Sequence, residues 1–174
     1  MPNRTSPTAT RASRGSAATA DVPPPATLRD IADALYRAAY ESCRQHTRYA
    51  SVLEHETLPV EQLAAAEAVE LTDQLLESVV DKYERAASEL PRSAGKEWWH
   101  QANILWLASR EWLRHRDAGD GMTSAIRRHG VDELEVLHVE FALEASAMLA
   151  LRQAADAYKR ARPDAEIAIS LARA

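Results

Sequence analysis

The sequence predicts an all-α protein: an up-down-up-down four-helix bundle with a short extra helix between helices three and four and a disordered N-terminal arm. Three observations carry that prediction. Four long segments repeat their apolar residues at three-four spacing, the period of one helix face. None of the four alternates in the way a half-buried strand does. The connections between them are brief and marked by Pro, Gly and Asp, and brief connections force consecutive helices to lie antiparallel.

Residues 1–26, MPNRTSPTATRASRGSAATADVPPPA, are rich in Ser, Thr, Ala and Pro and hold no aromatic residue and no apolar run. Such a stretch is neither a secretory signal nor packable structure, and it reads as a disordered arm. Arg4, Arg11 and Arg14 precede the first acid, Asp21, as in organelle-transit segments, but no amphipathic repeat accompanies them. Helix one is expected over Thr27–Glu56, with Thr27 as N-cap and Leu28, Ile31, Leu35, Ala39, Cys43, His46, Ala50 and Leu53 on one face. In helix two, Pro59 sits in the first turn, and Val69, Thr72, Leu76, Val79, Tyr83, Ala86 and Leu90 follow before Pro91 stops the run.

Helix three begins after Gly95 and is apolar almost all round from Ile104 to Ala108, which predicts the most buried segment. A break is expected at Asp117-Ala-Gly-Asp-Gly121, followed by a short helix from Thr123 to Gly130. Helix four opens on Asp132 and Glu135, a pair resembling a capping box, and carries Leu137, Phe141, Glu144, Met148, Leu151, Ala155 and Tyr158 before Pro163. The bundle domain is thus placed at 27–162. Residues 163–174 read as a flexible tail, with a docking peptide around Ile167, Ile169 and Leu171 as the alternative.

A chain of 174 residues has room for one ordinary domain. Its 21 Lys and Arg against 26 Asp and Glu give a net charge of −5, so no general field recruits nucleic acid or an anionic membrane. The one stretch shaped like a helix-turn-helix, Met122 to His138, would present Asp132 and Glu135 to phosphates, which repels them. No apolar run approaches the ~18 to 20 residues of a membrane span. Cys43 is the single cysteine, which excludes an internal disulfide and suits a reducing, cytoplasmic setting.

The route from sequence to chemistry runs through polar residues on apolar faces. Glu144 stands between Leu137 and Phe141 on one side and Met148 and Leu151 on the other, where a carboxylate needs a partner. Two Glu-x-x-His patterns, Glu97 with His100 and Glu135 with His138, have the spacing used by ferritin-like di-iron bundles. Both lie in the first turns of their helices, about 30 Å apart in antiparallel neighbours, so they cannot share one metal pair. Helix caps and dipoles account for their acids.

Setting antiparallel helices side by side at equal rise brings His46, Asp73, Arg110 to Arg114 and Glu144 to one height, with Glu140, Tyr49, Glu70 and His115 within about a turn. As an ion-pair layer this pairs His46 with Asp73 and Glu144 with Arg110 or Arg114, fixing helix register. As a metal site it offers His46, Asp73, Glu140 and Glu144 to iron, manganese or zinc. The four tryptophans could instead line a ligand cleft with Tyr36, Tyr40 and Tyr83, although aromatic residues at helical spacing are more often core. Gly-rich phosphate loops, nucleophile elbows and Cys/His zinc arrays are absent from the sequence. The expectation is a non-enzymatic bundle acting through a protein partner or as a homo-oligomer, with no cofactor. A ferritin-like metal-dependent oxidoreductase or metal-storage bundle is the alternative.

Overall fold

The structure, a computed structural model, describes residues 26–55, 57–89, 97–129 and 134–165. The N-terminal arm and the expected docking peptide at 166–174 lie outside the described residues. Four helices follow in order: α1 over Leu28–Glu54, α2 over Pro59–Glu89, α3 over Glu97–His129 and α4 over Leu134–Ala161.

Each start has a local cause. Thr27 Oγ1 accepts from the Asp30 N–H at 3.2 Å while Asp30 Oδ2 accepts from the Thr27 N–H at 2.9 Å, a complete capping box. These hydrogen bonds from Thr27 hold the Asp30 carboxyl below its ordinary range. At α2, Pro59 occupies the first helical position, where its missing N–H costs nothing, and Glu61 Oε2 accepts from the Leu58 N–H at 3.3 Å.

The helices form an up-down-up-down bundle. α1 packs chiefly on α2 and α3 on α4, and the two hairpins close on each other through α1 with α4 and α2 with α3. Cross-helix pairs run in opposite sequence senses, as antiparallel neighbours require. Tyr83 of α2 meets Asn103 of α3, while the earlier Asp73 meets the later Arg116. The shared core centres on Leu35, Leu76, Tyr83, Leu105, Trp112, Leu151 and Tyr158, each at most 1% exposed. Fully burying a side chain of this size stabilises by roughly 1.5–3 kcal/mol, so these large residues supply most of the packing energy.

Three details depart from the sequence reading. α3 continues as one helix through 117–121, with no separate short helix before α4. Two helical glycines cost about 1 kcal/mol each, less than opening the hydrogen-bond ladder and capping two new ends. The Ile104 to Ala108 stretch is not buried all round: Ile104 and Leu107 face outward at 38% and 57% exposure, so only one face of α3 meets the core. Beyond α4, Pro163–Ala165 forms a 3-10 turn that seats Ala165 in the core, so the packed structure reaches past residue 162. Among the described residues no helix is long and apolar enough to cross a membrane.

Candidate functional site: a polar layer and the cleft beside it

Asp73 is the hub of the polar layer. It lies on α2 with its side chain 1% exposed, and three donors from two other helices converge on it. Ser42 and His46 stand four residues apart on α1, so both point from one face. Ser42 Oγ donates to Asp73 Oδ1 at 2.7 Å, and His46 Nε2 lies 2.8 Å from Oδ2. Arg116 of α3 reaches the same Oδ2 at 3.1 Å. Burial works to raise the Asp73 carboxyl, but the hydrogen bonds from His46 and Ser42, the charge of His46 and the hydrogen bond from Arg116 outweigh it and hold it below its ordinary value. An ionised Asp73 can only accept, so His46 Nε2 carries the proton of this hydrogen bond.

His46 also stands edge-on to Trp112, with ring centroids 4.7 Å apart at 88°. Together they open onto a cleft of about 420 Å³ between α1, α3 and α4. Its polar lining is His46, Thr47 and Glu144; its apolar lining is Ala50, Trp112, Phe141, Ala145 and Met148.

The four residues expected to bind metal divide into pairs. His46 and Asp73 are joined, Glu144 borders the cleft beside His46, and Glu140 faces His115 of α3. Glu140 Oε2 lies 3.5 Å from His115 Nδ1 without a hydrogen bond, and that oxygen is buried with no donor. Among the described residues no group of three or more His, Cys, Asp or Glu is placed to hold a metal ion. Asp73 already serves His46, Ser42 and Arg116.

Glu144 is half-buried rather than fully enclosed. The arginines expected beside it are engaged elsewhere: Arg110 pairs with Glu84 at 3.8 Å and stacks 5.2 Å from the Trp106 ring centroid, and Arg114 chelates Glu111. The cation of the layer is Arg116, just past the Arg110 to Arg114 span. Of the aromatic cleft set out from the sequence, only Trp112 lines this one; Tyr36 and Tyr83 are core residues and Tyr40 is 49% exposed. Glu97, His100 and His138 are exposed at helix starts. Cys43 packs as a small buried residue, and burial pushes its thiol up to about 11.

A second polar cluster closes the opposite end of the bundle. Tyr158 Oη donates to Asp33 Oδ1 at 2.6 Å, and Arg162 Nη2 donates to Asp33 Oδ2 at 2.6 Å, tying α1 to the end of α4. Burial, then the Asp33 hydrogen bond, raises the Tyr158 phenol far above its ordinary value.

The outer surface of α4 inverts the usual helix pattern. Between Val139 and Ala150 the carboxylates Glu140 and Glu144 are half-buried, while Val139, Phe141, Ala142, Leu143, Ala145, Ser146, Leu149 and Ala150 are exposed. That outward run has no charged residue. Comparison with protein-family models, curated proteins and solved structures gives no match.

Proposed function

We propose that this chain is a non-enzymatic helical bundle that acts by protein association, docking the outer face of α4 against another helical surface, in the first place a second copy of itself. The inverted α4 carries the proposal. Val139, Ala142, Ser146 and Leu149 recur at alternating steps of three and four, with Leu143 and Ala150 beside them, and all are exposed. A seam of that period is what a partner helix packs into, and Ala142, Ser146 and Ala150 let the backbones approach closely. Single exposed apolar residues are ordinary on any protein; an uncharged run along three turns marks an interaction surface.

The competing reading, a bundle binding iron, manganese or zinc through His46, Asp73, Glu140 and Glu144, has less support. Its central carboxylate is held by three protein donors, and buried charge pairs of this kind serve to fix register.

Sedimentation velocity across a concentration series tests the proposal on wild type and on a Leu143→Glu, Leu149→Glu variant. The wild type should sediment as a dimer and the variant, with unchanged helicity, as a monomer. A wild type that stays monomeric at the highest attainable concentration overturns self-association through this face.

A further inference from the structure

We infer that the cleft between α1, α3 and α4 binds a small organic ammonium ion carrying an apolar body. The inference is independent of the association proposed above and rests on the donor and acceptor inventory of the cleft.

Two polar groups on the wall, Thr47 and Glu144, offer lone pairs, while His46 commits its Nε2–H to Asp73. Thr47 Oγ1 donates to the Cys43 carbonyl at 2.8 Å, so what it keeps is acceptor capacity. Glu144 is a carboxylate with about four acceptor sites, enough to serve a ligand beside the contact it already makes within the chain. An acceptor-rich wall is complemented by a ligand that brings N–H donors.

The remaining walls, Trp112, Phe141 and Met148, supply an aromatic and thioether surface for an apolar body, and aromatic faces attract ammonium groups. A volume of about 420 Å³ lies within the range of small-molecule sites.

Isothermal titration with 2-phenylethylammonium, and with 3-phenylpropionate as the anion of matching shape, tests the inference on the full chain. The ammonium should bind and the carboxylate should not. Glu144→Gln should weaken the ammonium about tenfold or more by removing the charged acceptor. Ala145→Trp, at an exposed position on the cleft wall, should abolish binding by filling it. Circular dichroism confirms that both variants remain helical, and the ammonium against carboxylate comparison on wild type stands even if one does not. The inference is overturned if wild type fails to bind the ammonium, if the two probes bind equally, or if both folded variants bind as wild type does.

Discussion

Replacing Asp73 with alanine tests the reading of the polar layer as a structural fastener. The substitution strips the acceptor from Ser42, His46 and Arg116 at once. Ser42 is 0% exposed, and a buried hydroxyl left without its acceptor costs about 1–3 kcal/mol. His46 and Arg116 retain 19% and 22% side-chain exposure, and Arg116 keeps Asp117 at 2.5 Å. Solvent and Asp117 therefore absorb most of their loss, leaving about 1 kcal/mol. The expected destabilisation is roughly 3 kcal/mol, a fall of about 6 to 12 °C in Tm for a domain of this size. Thermal and urea unfolding followed by circular dichroism measure it. Joint Asp73→Leu and Ser42→Ala should recover much of the loss, because an apolar pair of similar volume leaves no buried group unpaired. A Tm unchanged by Asp73→Ala, or strictly additive Ser42→Ala and Asp73→Ala effects, would refute the reasoning.

The same carboxylate sets a pH dependence. Its folded value lies below the ordinary 3.8, so its stabilisation is complete above 3.8 and is lost as pH falls through the folded value. Urea midpoints should drop more steeply for wild type than for Asp73→Asn on going from about pH 5 to about pH 3; equal slopes would place the acid sensitivity elsewhere. At the other end of the bundle, Asp33→Ala should destabilise by several times as much as Tyr158→Phe, since it strands both the Tyr158 hydroxyl and the Arg162 guanidinium, whereas the phenol deletion leaves the 2.6 Å Asp33 to Arg162 pair in place. Elemental analysis of protein purified without chelator should find no stoichiometric iron, manganese or zinc, and His46→Ala should lower stability without altering metal content; metal at one equivalent that is lost in His46→Ala would establish the metal-centred reading instead.

Much of the bundle was readable because helical rise is uniform. Four periodic segments laid antiparallel at equal height put His46 beside Asp73, and the structure joins them at 2.8 Å. The same register places Asp33 within a turn of Tyr158, with Arg162 about a turn and a half away, and Asp33 follows the buried Ala32 and precedes Leu35 and Tyr36 on the core side of α1. That cluster is legible in principle, but Arg162 directly precedes Pro163, where the sequence predicts the helix to end. Arg116 is obscured for a related reason. Asp117 and the glycines after it signal a turn, and a residue entering a turn is not an obvious cross-bundle partner. The signal misleads because a single glycine costs a helix only about 1 kcal/mol, which packing along the rest of α3 can offset.

α4 shows where periodicity stops being informative. Two faces of its first half satisfy three-four spacing. Phe141, Glu144, Met148 and Leu151 form one candidate stripe; Val139, Ala142, Leu143, Ser146 and Leu149 form another. Hydrophobicity favours turning the second stripe inward, since it contains no charge. The structure does the opposite, holding Glu140 and Glu144 on the inner side and leaving Leu143 and Leu149 at 42% and 56% exposure. The second half of the helix decides the rotation, because Leu151, Ala154, Ala155 and Tyr158 are all buried and a rigid helix cannot turn its first half independently. With the C-terminal half fixed by Tyr158 on Asp33, Glu144 is carried to the cleft, Glu140 to His115 and the apolar seam to the outside. Residues held out of register with their own hydrophobicity in this way mark positions where local burial was not the deciding requirement, which is the pattern expected of surfaces and clefts that meet something else.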